Sequence, residues 1–158
     1  MQKIEHIGIA VKDLNKSNDL FTKLLGKPPY KTETVESEKV NTSFFQVGES
    51  KIELLGATNE ESAIAKFIEK KGEGIHHIAF AVEDIEKEVD RLKVEGFQTI
   101  SDKPKQGADN KLVFFFHPKS TNGILIELCQ EIKWVKNTNI FSSILITPFG
   151  ILKQILNR

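Results

Sequence analysis

The sequence predicts an α+β fold in which two tandem βαβββ modules form one curved mixed sheet around a shared cleft. Two observations lead there. First, Glu5-His6-Ile7-Gly8-Ile9-Ala10-Val11-Lys12-Asp13-Leu14 returns as His76-His77-Ile78-Ala79-Phe80-Ala81-Val82-Glu83-Asp84-Ile85, an offset of 77 − 6 = 71 residues. Second, each copy continues in the same order, with a helical pattern that ends at a glycine and three strand-like runs after it. A half of this size cannot bury its own sheet face, so the two halves are expected to pack together.

Module one is expected over residues 3–56. A short apolar run ends at Asp13, a helix-capping residue type, and Leu14, Leu20, Phe21, Leu24 and Leu25 mark a helix that stops before Gly26. Strands are read at Tyr30 to Val35, Asn41 to Val47 and Lys51 to Leu55. A linker helix over 60–71 carries Ile64, Phe67 and Ile68 on one face, and Gly72 to Gly74 breaks it. Module two, over 75–130, has the thinner stripe Ile85, Val89 and Leu92 before Gly96. Strands follow at Phe97 to Ser101, Leu112 to His117 and Ile124 to Cys129. Together these make one domain over residues 1–130. Residues 131–158 belong to neither copy. They are apolar but interrupted by Pro148 and Gly150, and are expected to pack on the domain or a partner subunit rather than enter a membrane.

Composition removes several classes of function. Lys plus Arg and Asp plus Glu both total 22, so no strong field for nucleic acid or an anionic membrane is present. Without a basic stripe, Phe44, Phe45, Phe114, Phe115 and Phe116 read as core and cleft wall rather than a base-stacking platform. The single cysteine, Cys129, cannot form an internal disulfide and sits in an apolar run. A reducing cytoplasm is the expected location, in keeping with an N-terminus that shows no export or import signal.

The informative anomaly is a glutamate inside an apolar strand in both halves, Ile52-Glu53-Leu54-Leu55 and Ile126-Glu127-Leu128-Cys129. A buried carboxylate either takes up a proton or faces a cation. A histidine also opens each first strand, and 53 − 6 = 47 residues separate His6 from Glu53 while 127 − 77 = 50 separate His77 from Glu127. Taken singly, each residue has a plain alternative as a backbone-bonded strand end or an outward edge residue. Their joint repetition favours a cleft in which His6, Glu53, His77 and Glu127 hold one divalent metal ion per chain. Two imidazoles and two carboxylates suit Co, Zn, Ni or Mn. Strict strand alternation would turn His76 to the face opposite His77. His117, before Pro118, is read as stabilising a turn or lining a ligand site.

The paired modules and the tetrad resemble the vicinal-oxygen-chelate superfamily of glyoxalases, bleomycin-resistance proteins and extradiol dioxygenases. Within it, His6-Ile7-Gly8-Ile9-Ala10-Val11, Lys51-Ile52-Glu53-Leu54-Leu55, Gly74-Ile75-His76-His77-Ile78-Ala79-Phe80 and His117-Pro118-Lys119-Ser120-Thr121-Asn122-Gly123 are similar to the methylmalonyl-CoA epimerase family, over about Lys3 to Gln130. That resemblance implies proton abstraction and return at the carbon alpha to the thioester of methylmalonyl-CoA, interconverting its (R) and (S) forms. It implies Glu127 as both ligand and acid/base group. Glu36, from the Glu33, Glu36 and Glu38 cluster, is the expected second acid/base group. Lys119, Ser120 and Thr121 are expected to bind the acyl or thioester end, and Lys103, Lys105, Lys111 and Lys119 to meet CoA phosphates. A homodimer is expected from relatives of this fold. Glyoxalase I-type isomerisation of a glutathione hemithioacetal and a non-catalytic small-molecule-binding module are the competing readings.

Overall fold

A computed structural model describes residues 1–132. In chain order it holds β1 (Lys3–Val11), α1 (Leu14–Leu25), β2 (Lys31–Val35), β3 (Val40–Val47), β4 (Ser50–Ala57), α2 (Ala63–Lys71), β5 (Gly74–Ala81), α3 (Ile85–Val94), β6 (Lys105–Gln106), β7 (Lys111–Phe116) and β8 (Leu125–Glu131). Short 3₁₀ turns cover Glu36–Glu38 and Pro118–Ser120. The expected tail lies outside the described residues, apart from Glu131 and Ile132. Among the described residues, no helix is long and apolar enough to cross a membrane.

All eight strands form one curled mixed sheet, a half-barrel in the order β2-β3-β4-β1-β5-β8-β7-β6. The first strand of each module pairs in parallel with the last of the same module, β1 with β4 and β5 with β8. The modules meet where β1 and β5 run antiparallel. The sheet order therefore reads the same from either end, as the sequence repeat requires.

Each first strand hands over to its helix by the same device. The Asp13 side chain accepts from the Lys16 amide at 3.0 Å, and Asp84 does the same for Lys87 at 3.1 Å. At the far end of α1, Gly26 takes the left-handed conformation with φ 71°. The linker helix begins later than its apolar pattern suggests, because Ser62 supplies the cap by accepting from the Ile64 amide.

Alternation along the strands sorts the two sheet faces. Phe45 and Leu54 pack with Leu14, Phe21 and Leu25 beneath α1, while Phe114, Phe116 and Leu128 pack with Ile85, Val89 and Leu92 of α3. On the cleft face lie Val40, Thr42, Phe44, Glu53 and Leu55 from module one and Val113, Phe115 and Glu127 from module two. Ile64 of α2 packs on Ala10, Val40 and Leu55, adding an apolar wall to the cleft.

The symmetry weakens at the edge of module two. Phe97 to Ser101, expected as a full strand, holds only an isolated bridge from Thr99 to Phe116. Two backbone hydrogen bonds, Ile100 N to Phe115 O and His117 N to Gln98 O, tie the segment down. Regular pairing beside β7 comes instead from two-residue β6, where Lys105 and Gln106 lie opposite Val113 and Leu112.

Candidate metal centre

Registry across the central strands brings the tetrad together. Gly8 of β1 lies between Glu53 on β4 and His77 on β5. Ala79 of β5 lies between His6 on β1 and Glu127 on β8. Cross-strand partners share a sheet face, so each small residue is flanked by one imidazole and one carboxylate of the same cleft. The sequence intervals differ by three residues between the modules, yet the hydrogen-bonding register makes the two rows equivalent.

The four donors converge closely. His6 Nε2 lies 2.8 Å from His77 Nε2 and 3.1 Å from Glu53 Oε2, and His77 Nε2 lies 3.2 Å from Glu127 Oε2. The diagonal separations are 3.8 Å for His6 to Glu127 and 3.6 Å for His77 to Glu53. Donor atoms at about 2.1 Å from a divalent ion and at right angles to one another stand ~3.0 Å apart, so His6, His77 and Glu127 are spaced to share one ion, with Glu53 at a comparable distance from both imidazoles. All four side chains are buried. A mixed nitrogen and oxygen set in this arrangement fits a borderline divalent ion.

The electrostatics tell the same story. Burial alone would lower the pKa of His6, but hydrogen bonds to Glu5 and Glu53, with Glu127 close by, raise it to about 10. Burial would raise Glu53, but the two imidazoles bring it down to about 2. Glu127 moves the other way, pushed up by burial and by the nearby Glu53 and Glu5 charges against the pull of His77 and His6. A site that must hold a proton to keep two carboxylates together is one a cation can take over.

Two residues that the sequence reading passed over shape this centre. Gly8 provides clearance, since a Cβ there would stand 2.3 Å from His77 Cε1. Glu5 backs His6, with Oε2 at 2.5 Å from Nδ1. Its presence on the cleft face comes from a β-bulge, because the β1–β5 register passes from Ile4 opposite Phe80 to His6 opposite Ala79 and skips Glu5. The signals were a glycine two residues after the first histidine and an acid directly before it. Strict strand alternation would turn that acid to the face opposite His6.

A matching bulge corrects the expectation for His76. The register passes from Gly8 opposite His77 to Ile9 opposite Ile75, so His76 is looped out and does not turn to the opposite face. Its Nδ1 lies 3.0 Å from His77 Nδ1, its ring meets Phe67 of α2 edge-on, and it lines the cavity.

Other expected site residues are placed differently. Glu36 is exposed at the start of its 3₁₀ turn and does not line the cavity, whereas Glu38 does and pairs with Lys105. Lys119, Ser120 and Thr121 also lie outside the lining. The Ser120 and Thr121 hydroxyls hold their own turn through His117 O and Ile124 O, and His117 Nδ1 accepts from the Lys119 amide. Lys105 and Lys111 line the cavity and Lys103 lies in a separate groove. Cys129 is buried with its Sγ within 4.8 Å of Glu5 and His6, and burial together with the nearby Glu127 and Glu5 charges pushes its thiol up, so it remains protonated.

Residues 5–115 match the model of the Glyoxalase/Bleomycin resistance protein/Dioxygenase superfamily. The chain belongs to that superfamily. It is 40% identical to the uncharacterized Bacillus subtilis protein YqjC over 130 residues, covering 82% of this chain and 93% of that protein. It is 41% identical over 130 residues to the ethylmalonyl-CoA/methylmalonyl-CoA epimerase of Cereibacter sphaeroides, covering 81% of this chain and 97% of the relative. Among solved structures, a methylmalonyl-CoA epimerase in complex with methylmalonyl-CoA and NH4+ superposes with a TM-score of 0.80. It is 32% identical and covers 83% of this chain and 95% of the other.

Proposed function

We propose that this superfamily member is an isomerase that epimerises (R)- and (S)-methylmalonyl-CoA, using one divalent ion held by His6, Glu53, His77 and Glu127. The convergence of those four donors inside a cleft is the observation that carries the reading. Identity to epimerases across both modules supports the substrate class. When bound, the ion supplies neutralisation for the negative charge that develops beside the substrate carboxylate.

The chain's own residues supply the proton chemistry. Glu127 is buried on the cleft face, which places its carboxylate to take the proton alpha to the thioester. Epimerisation needs a second group to return a proton to the other side of that carbon. The Glu36–Glu38 turn provides the candidates, and Glu38 is the member whose side chain reaches the cavity. Val35, Val40, Phe44, Ile64, Val113 and Phe115 wall the same space and limit water access to a carbanion-like centre. Lys105, part exposed where it lines the cavity, is placed to meet a phosphate of the CoA portion. The buried, protonated Cys129 suits a cytoplasmic location, and the exposed Leu20 and Leu24 on α1 offer apolar surface for a homodimer.

The test is to load purified protein with Co²⁺ and incubate it with one epimer in deuterated water. Deuterium at the alpha carbon and a mixed configuration are expected. Unchanged substrate, together with turnover of methylglyoxal and glutathione, would replace the reading with glyoxalase-type isomerisation.

A further inference from the structure

The two imidazoles of the cluster are backed by unlike neighbours. Behind His77 stands His76, while behind His6 stands the carboxylate of Glu5. Glu5 is 5% exposed and uses both oxygens, Oε2 toward His6 Nδ1 at 2.5 Å and Oε1 in an ion pair with Lys51 Nζ. Lys51 is itself anchored by Asp109 Oδ2 at 2.9 Å, and Lys111 Nζ stands 3.6 Å from the same Glu5 oxygen. A buried carboxylate placed by a bulge, oriented by two lysines and aimed at one ring nitrogen is a built arrangement rather than an incidental contact.

We propose that Glu5 is a positioning residue for the metal centre: it takes the Nδ1–H of His6, fixes the tautomer whose bare Nε2 faces the cleft, and is itself held by Lys51. This inference rests on reading the cluster as a metal site. A neutral imidazole carries its proton on either nitrogen, and only the Nδ1–H form offers a lone pair at Nε2. An anionic acceptor at Nδ1 selects that form, locks the ring plane and increases the basicity of Nε2. His77 receives the weaker version of this support, since a neutral imidazole accepts less strongly than a carboxylate. Lys51 lies on β4 directly opposite His6 and two residues before Glu53, so one strand supplies both Glu53 and the cation that steadies Glu5 behind His6.

The experiment titrates metal-free wild-type protein, E5Q and E5D with Co²⁺ alone, following affinity by calorimetry and coordination by the visible Co²⁺ absorption. E5Q keeps the shape but not the charge, and is expected to bind Co²⁺ roughly 10- to 100-fold more weakly, with an altered absorption band. E5D keeps the charge and the pairing with Lys51 but is one methylene short of His6, so it too should bind more weakly. It also serves if E5Q does not fold. Wild-type affinity and an unchanged spectrum in a folded variant would overturn the positioning role and leave the metal centre standing. Failure of the wild type itself to bind Co²⁺ would sink both.

Discussion

Glu5 and His76 occupy the same position in the two modules, each looped out of the β1–β5 ladder directly before a site histidine, and each hydrogen-bonds the Nδ1 of that neighbour. The duplication thus repeats a β-bulge as well as the His and Glu of the cluster. A bulge brings two consecutive side chains to one face, which a regular strand cannot do. Module one uses the extra place for a carboxylate and module two for an imidazole, so one centre acquires two different supports.

Replacing Glu127 separates fold from chemistry. E127Q keeps the volume of a side chain lodged between Ala79 of β5 and Phe115 of β7, so the domain should remain folded. Alpha-proton exchange into deuterated water, followed by mass spectrometry, is expected to fall by roughly 10²- to 10⁴-fold. Residual exchange near the wild-type rate would take Glu127 out of the mechanism.

Clearance at Gly8 is a sharper structural test. A methyl group there meets the His77 ring at 2.3 Å, and G8A is expected to displace the ring, with a cost of about 1–3 kcal/mol to the fold and loss of Co²⁺ affinity. The opposite change at the equivalent position of module two, A79G, removes a methyl group and should cost about 1 kcal/mol while Co²⁺ still binds. Thermal melts and Co²⁺ titration of the pair check this, and equal behaviour of the two variants would refute it.

The metal-free protein should be least stable at both ends of the pH scale. Glu5 and Glu53 have folded-state pKa values lowered to about 2, so their contribution is complete above their ordinary value of 4.5 and is lost as pH falls toward 2. His6 is raised to about 10, so its contribution is complete below 6.5 and is lost as pH rises through 10. Melting temperatures after chelation should therefore peak between about 4.5 and 6.5. Added Co²⁺ acts in the other sense on the alkaline side, because binding displaces the His6 proton and gains affinity as pH rises toward 10. A Co²⁺ affinity independent of pH between 6 and 9 would contradict this assignment.

Much of this cluster could be read from residue order because duplication writes each histidine and each glutamate twice. His6 with His77 and Glu53 with Glu127 stood out against apolar neighbours, and the paired Asp13 and Asp84 caps marked the strand-to-helix junctions. What escaped the reading depends on register and on contacts between modules. The bulges at Glu5 and His76 break the period of two on which face assignments rest. The Glu5–Lys51–Asp109 line joins residues that the sheet brings together from both modules. Phe97 to Ser101 has strand composition but bonds to β7 only through scattered contacts, so local propensity exceeded what tertiary pairing realised.

The acidic turn before β3 gives the last prediction. Glu36 and Glu38 are two residues apart in a single 3₁₀ turn, and there a step of two residues points side chains in different directions. Glu36 turns to solvent, while Glu38 lines the cavity that also holds Glu127 and pairs with Lys105 of module two. If the second proton carrier comes from this turn, E38Q should slow epimerisation by roughly 10²-fold or more, whereas E36Q should leave it near wild type. Because Glu38 would serve the configuration that Glu127 does not, E38Q should retain deuterium exchange into one epimer while losing interconversion. Chiral analysis of the product after incubation in deuterated water reads both quantities at once. Loss of activity in E36Q with E38Q unaffected would return the role to the outward-facing glutamate and require the turn to rearrange when substrate binds.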